Sequence, residues 1–409
     1  MALARLPRLR ALLGADRLRR PRVRGTFSTN EALAARLRAE LVAELVGGEA
    51  LRSPDWVRAF DRVPRHRFVP RFTTGGSRFE AGQGQDEEWL RAVYSDRVLN
   101  ILFDTDDPVV ASTSSMPSVM AQMLEALQIE DGDRVLEVGT GSGYNAALLC
   151  ERLGSRSVAS VDIDAGLVDA ARERLAGAGY TPHLAAVDGF DGYRACAPYD
   201  RVIATCATRR VPLAWIEQTM PGGLVLAMLP HGLARLTVVG DGSAHGRFHP
   251  TAFDFMDMRG HSPAPLPEAA LHELVMSGGE SRPAGEAPAV VDERDGRVAY
   301  WMLERLTLVS LPQEADLDLD RHLEVDLWDL SWILFDMGQG TITQGGPRRL
   351  WDARVALYDQ WSTLGRPGRE RLGLSVHGPV GLQEIWLDDP SSGWRWPLVG
   401  QPAASRTAS

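Results

Sequence analysis

The chain has 409 residues, 44% of them hydrophobic and 24% charged, which suits a folded protein with a sizeable core and room for two or three domains. No apolar run approaches the roughly 18 residues of a membrane span, and Cys150, Cys196 and Cys206 are too few and scattered for a disulfide framework, favouring a reducing, cytoplasmic setting. The net charge of −10 disfavours nucleic acid as the main partner, because neutralising phosphates needs a basic surface.

Residues 1–27 carry eight arginines against Asp16 and read as a disordered extension, with a partner-binding arm as the alternative. Residues 28–112 read as helices and loops. A helix begins near Ser28, with Asn30 as cap, Leu33, Leu37, Leu41, Val42 and Leu45 on one face, and Gly47 and Gly48 as its stop. Ser53 is placed to cap a short helix ending before Pro64, and the polar stretch 74–92 reads as a surface loop.

From 113 to 234 strand-like and helix-like segments alternate. Helices are expected over 118–127, with Ser118 as cap, and over 144–153 and 164–178; strands are expected over 134–138, 157–163, 183–187, 199–205 and 224–229. Such alternation predicts an α/β fold with a doubly wound, mostly parallel sheet and ligands at the carboxyl ends of its strands. Residues 235–409 read as an α+β extension. Asp241-Gly242 marks a hairpin, 262–290 a linker or irregular loop, and the Trp-rich remainder a second core or else a peptide-binding surface.

The main chemical signal is VLEVGTGSGY (135–144), where an apolar strand enters a loop with Gly139, Gly141 and Gly143 and leaves into a helix. Such a turn lets backbone approach a ligand while helix amides point at it. In SVDID, Asp162 ends the following strand, where a carboxylate can accept both hydroxyls of a ribose. In AVDGFDGY, Asp188 and Gly189 end the next strand, placed for an adenine edge. Dinucleotide binding is the rival reading, but its fingerprint is GxGxxG, whereas here GxGxG follows an acid, Glu137.

This pattern resembles the nucleoside site of S-adenosyl-L-methionine-dependent methyltransferases, in which Glu137 would lie beneath the loop and favour the cofactor's positive groups. The chain resembles the protein-L-isoaspartate O-methyltransferase family over roughly residues 50–230, through VPRHRFVP, YSDRVL, TSSMPSVMAQMLEAL, LEVGTGSGYNAALL, VDGFDGY and PYDRVIATCA. Its last segment, LGLSVHGPVGLQEIWLDDPSSGWRW, is similar to the long actinobacterial branch of that family. The family's TxSxP segment falls on Thr113, Ser114, Ser115, Met116 and Pro117, which implies Ser115 where sulfonium and substrate carboxylate meet and Thr113 and Ser114 beside the cofactor. Met116 departs from the polar or small residue usual there.

Esterifying a carboxylate that is already ionised at neutral pH needs no general base, which fits the absence of a His/Asp or Ser/His/Asp constellation. The resemblance implies action on L-isoaspartyl residues of aged proteins for repair, and a monomer is expected; the scattered Cys and His, the acidic charge and the lack of a long apolar run give no expectation of a metal, nucleic acid or membrane. The alternative substrate is one aspartate of a ribosomally made, modified peptide, converted to an aspartimide. Two other classes remain: an RNA methyltransferase, disfavoured because ATCATRR (204–210) stands where an N/DPPY-type stretch is expected, and a non-catalytic cofactor- or peptide-binding protein.

Overall fold

The computed structural model describes residues 29–102, 110–251, 253–261, 264–284, 298–309 and 312–399, so the Arg-rich start lies outside the described residues. The chain forms two compact units, one of Met1–Thr205 with Glu217–Leu226, the other of Cys206–Ile216 with Ala227–Ser409. Among the described residues no helix is long and apolar enough to cross a membrane.

In the first unit, α1 (Thr29–Gly47) buries Leu37, Leu41, Val42 and Leu45 on one face, as their spacing requires. Asn30 lies inside this helix and does not cap it; its amide group donates to Asp86 (2.8 Å). In α2 (Pro54–Arg62) proline takes a first-turn position where its missing N–H costs nothing. Ser53 makes no side-chain cap. Its hydroxyl and the amides of Arg52 and Ser53 converge on Glu125 (2.5–2.7 Å), because an ionised carboxylate is a stronger acceptor than the helix end offers.

Segment 74–92 is not a loop. Strands β1 (Arg71–Thr74) and β2 (Ser77–Glu80) form a hairpin over Gly75-Gly76, whose φ values of +55° and +79° suit a two-residue turn that matches strand twist. Helix α3 (Asp86–Val93) follows and buries Trp89, Leu90 and Val93. Strands β3 (Leu99–Leu102) and β4 (Val110–Ser114) complete a sheet in the order β2-β1-β3-β4. Helix α4 spans Pro117–Ala126.

The α/β core holds β5 (Val135–Val138), α5 (Tyr144–Leu153), β6 (Val158–Asp162), α6 (Ala165–Gly177), β7 (His183–Ala186), β8 (Tyr199–Ala207) and β9 (Thr219–Leu229). Strand β5 pairs in parallel with β6 on one side and β8 on the other, and β6 pairs in parallel with β7. The chain therefore lays strands outward from β5 in one direction and then returns to its other side. That reversal makes a crevice at the carboxyl end of β5, where open α/β sheets bind ligands. Every residue of β5 and β6 is buried, the near-continuous apolar pattern of parallel strands interrupted at Glu137, Ser160 and Asp162.

In the second unit, β10 (Gly232–Val238) and β11 (Ala244–Phe248) form the hairpin expected around Asp241-Gly242. The stretch 262–290 is more ordered than its composition suggests: it contains α7 (Glu268–Met276) and β12 (Glu280–Pro283). Leu271 of α7 packs with Leu323, Val325, Trp332 and Leu334, and this burial overrides the flanking Pro and Gly. Helix α8 (Val298–Thr307) precedes β13 (Pro312–Asp316), β14 (Arg321–Asp326), β15 (Ser331–Asp336) and β16 (Thr341–Gly345), an antiparallel sheet ordered β12-β16-β15-β14-β13. Helix α9 (Leu350–Thr363) leads to β17 (Leu372–His377), β18 (Leu382–Leu387) and β19 (Arg395–Pro397), antiparallel neighbours, with β17 also paired to β11.

The tryptophans divide. Trp332, Trp351, Trp361, Trp386 and Trp396 are buried, whereas Trp328 and Trp394 are exposed. Arg354 bridges the buried carboxylates of Glu304 and Glu324, so that neither acid is buried unpaired. One pairing closes a long span: the Val211 amide donates to Gln383 (2.9 Å), whose own amide group donates to the Val211 carbonyl (2.7 Å), 172 residues away.

Candidate active site

The glycine loop is tied to the strands beside it. Gly139 and Thr140 donate backbone hydrogen bonds to the Val161 carbonyl (2.8 and 3.1 Å), and the Gly141 amide donates to Asp162 Oδ2 (3.0 Å). Asp162 Oδ1 accepts from the Asp164 amide (3.2 Å), so the carboxylate is aimed by backbone on both oxygens. The Val187 amide donates to the Asp162 carbonyl (3.0 Å), which sets the end of β7 beside it; there Asp188 Oδ1 accepts from the Phe190 amide (2.9 Å) and Gly189 is buried.

On the loop's other side lies the end of β4. A Cβ added to Gly141 would stand 3.1 Å from Ser112 Oγ and 3.6 Å from the Thr113 carbonyl, on a backbone at φ +50°. Glycine is required here because the hydroxyl-rich segment approaches closely enough to touch the loop. The structure thus brings together Gly139, Gly141, Gly143, Asp162, Asp188, Gly189 and the segment from Ser112 to Ser115.

Beneath the loop Glu137 is fully buried. Its carboxylate accepts from Asn145 Nδ2 (2.7 Å) and Ser160 Oγ (2.6 Å), and Ser160 Oγ lies 2.7 Å from Thr140 Oγ1. With its one proton given to Glu137, Ser160 accepts from Thr140, and the chain of hydroxyls points from the loop to the acid. Burial pushes the Glu137 carboxyl up to about 7, partly offset by the bonds from Ser160 and Asn145. A cation above the loop would favour its ionised form.

The hydroxyl-rich segment differs from expectation in two places. Ser118 does not cap α4. The helix begins one residue earlier at Pro117, which places Ser118 inside the first turn; its free amide is capped by Asp96 Oδ1 from 22 residues back (2.8 Å). Ser114 is buried, its hydroxyl turned inward onto Arg65 (3.3 Å), whereas Thr113, Ser115 and Met116 are half-buried.

Two further residues shape the site without being singled out by the sequence. Thr205, at the end of β8, donates to the carbonyls of Gly139 (2.8 Å) and Val138 (3.2 Å), gripping the loop from the side opposite β6. Arg65, inside VPRHRFVP, is fully buried and donates to the carbonyls of Ser114 and Ser115. A threonine in a strand and an arginine in a charged turn carry no local mark of such roles. In the second unit, Arg209 pairs with Asp257 (2.8 Å).

The arrangement fits a nucleoside bearing a positively charged group: a glycine loop with Gly139, Gly141 and Gly143 at positive φ, an oriented carboxylate, an Asp-Gly at the neighbouring strand end and an acid beneath. Comparisons with known proteins agree. The model of the protein-L-isoaspartate(D-aspartate) O-methyltransferase family matches residues 36–240. A protein-L-isoaspartate O-methyltransferase of Ignicoccus hospitalis is 35% identical over 189 residues, 46% of this chain and 79% of that one. Another, from Anaeromyxobacter, is 33% identical over 225 residues, 54% of this chain and 82% of that one. A solved protein-L-isoaspartate O-methyltransferase shares the fold with a TM-score of 0.52 at 21% identity, covering 86% of this chain and all of the other. That coverage exceeds residues 36–240 and so takes in part of the second unit.

Proposed function

Because this chain belongs to the protein-L-isoaspartate O-methyltransferase family, we propose that the crevice at the end of β5 is where it esterifies L-isoaspartyl carboxylates of damaged proteins. The observation that carries this assignment is Gly141, which donates to Asp162 on one side and leaves room for Ser112 and Thr113 on the other. One glycine joins the half of the site that holds a nucleoside to the half that meets a carboxylate.

S-adenosyl-L-methionine supplies the methyl group when bound: an oxygen–carbon bond forms as the carbon–sulfur bond breaks, and sulfur keeps the electron pair. The protein's part is holding and aligning. Asp162, its carboxylate oriented by the Gly141 and Asp164 amides, would accept the ribose hydroxyls. Asp188 and Gly189 meet the adenine edge, Thr113 borders the cofactor, and Ser115 donates to one oxygen of the substrate carboxylate. No base is needed, since that carboxylate is ionised at neutral pH, and alignment with exclusion of water can supply about 7 to 11 kcal/mol. Methoxide leaves the ester far more readily than an oxygen leaves an ionised carboxylate, so the following backbone nitrogen attacks the ester carbonyl, loses its proton and expels methanol to give the succinimide through which repair proceeds.

The decisive assay incubates the protein and labelled cofactor with an isoaspartyl peptide and with its aspartyl counterpart. A base-labile methyl ester on the isoaspartyl peptide is expected; cofactor binding without transfer would sink the assignment.

Glu137 adds a pH dependence. Its folded pKa, about 7, lies above the ordinary carboxylate value, so the stability that comes from keeping it protonated is complete below about 4.5 and lost as pH rises through 7. A cationic cofactor prefers the ionised form. Affinity is therefore expected to rise between pH 6 and 8, flattening above, with a proton released on binding below 7. Glu137→Gln keeps the shape, satisfies Asn145 and Ser160 by reversing the hydroxyl chain, and should abolish the slope. Calorimetric titration across this range checks it, and an unchanged slope in the variant would exclude Glu137 as its source.

A further inference from the structure

The Arg65 guanidinium sits wholly inside the first unit, and its partners are backbone and hydroxyl oxygens: the carbonyls of Val93 (2.9 Å), Ser95 (3.2 Å), Arg97 (3.3 Å), Ser114 (3.4 Å) and Ser115 (3.0 Å), and Ser114 Oγ (3.3 Å). It lies over the Tyr144 ring, 5.8 Å from its centre, at the first residue of the helix that the glycine loop enters. Burial lowers its pKa to about 10, with charges including Asp96 working in the other direction, so it remains a cation at neutral pH. Its Nε–H is buried without a partner. Burying a cation this way is costly, and a residue serving only to fill the core would not need charge.

Three of the six bonds fall on Ser114, the last residue of β4, and Ser115 after it, directly following the Ser112 and Thr113 that approach Gly141. In a trans peptide the C=O of one residue and the N–H of the next point opposite ways, and neither peptide here is cis. Holding the carbonyls of Ser114 and Ser115 inward therefore turns the amides of Ser115 and Met116 outward. We propose that Arg65 is a positioning residue that presents these two amides, beside the Ser115 hydroxyl, as a donor set for the substrate carboxylate. This rests on the reading of Ser115 as the substrate-side hydroxyl. It also gives Met116 a role its side chain does not explain: what serves at that position is the backbone N–H.

Arg65→Lys keeps the charge but replaces a planar fork reaching six oxygens by a single ammonium. We expect kcat on an isoaspartyl peptide to fall about tenfold to a hundredfold while the cofactor Kd stays within about twofold, as for a mispositioned rather than missing group. In a Ser115→Ala background the same change should cost less, because both act on one loop. Full activity of Arg65→Lys, parallel loss of kcat and affinity, or an equal fold-loss in both backgrounds would each overturn the proposal. Should circular dichroism show Arg65→Lys unfolded, Ser114→Ala removes one acceptor and leaves the guanidinium in place; about two- to tenfold lower kcat at unchanged Kd supports the proposal and unaltered kcat defeats it. Wild-type protein that does not esterify the peptide removes the underlying reading and the inference with it, whereas an active wild type with indifferent variants removes the inference alone.

Discussion

Ser115→Ala is expected to lower kcat for the isoaspartyl peptide by about 10²-fold while leaving the cofactor Kd almost unchanged. One carboxylate oxygen must be held while the other attacks, and the hydroxyl donates where charge is redistributed. The carboxylate loses charge as the ester forms, so the hydroxyl's part is to align the attacking oxygen, and a misplacement of about 1 Å costs about 10²-fold. The cofactor half of the site does not depend on this hydroxyl, because the Gly141 amide and Asp162 are bonded to each other. Single-turnover rates with saturating cofactor, set beside calorimetric affinities, separate the two quantities. Equal losses in both would show that Ser115 supports the loop's fold and does not hold the substrate.

Asp162→Ala should do the reverse, raising the cofactor Kd by about 10²- to 10⁴-fold, with kcat at saturation reduced much less. Two hydrogen bonds to a charged acceptor are each worth about 1.5 to 3 kcal/mol, and with Asp162 in the proposed role both ribose hydroxyls would lose their partner together. The Gly141 amide, which donates to this carboxylate at 3.0 Å, loses its acceptor as well, so the loop loosens. Asp162→Asn keeps one accepting oxygen but can turn an NH2 toward the amide donors, and should fall between alanine and wild type. An alanine variant with wild-type affinity would place the ribose elsewhere.

The parts of the fold legible in sequence were those where local pattern and tertiary need coincide. Helix α5 begins and ends as its apolar spacing predicts, the helix expected over 164–178 is α6 within a residue at each end, and β5 and β6 read as strands because parallel, doubly covered strands are apolar throughout. What misled was chemistry supplied from afar. Ser53 and Ser118 have the composition of caps, yet Glu125 binds the first, across 72 residues, and Asp96 serves the helix that contains the second. The hairpin and helix within 74–92 are polar on their outer faces, and only Trp89, Leu90 and Val93 record the buried side. Within the site, the glycine loop, Asp162 and Asp188 announce themselves at strand ends. Arg65 and Thr205 do not, because nothing local distinguishes a buried arginine from a solvated one.

The two units are not consecutive in the chain: residues 206–216 of the second interrupt the first, which resumes at Glu217 and ends at Leu226. No single cut can release the catalytic unit intact, so a truncated chain ending near residue 234 would keep two orphan pieces of the other unit. During synthesis the consequence is one of timing. Val211 leaves the ribosome long before Gln383, the side chain that closes on it, and the segment must wait for 172 further residues. The nascent enzyme, its active-site unit nearly finished, therefore has the Val211 backbone bonded to water rather than to its final partner until Gln383 has been made.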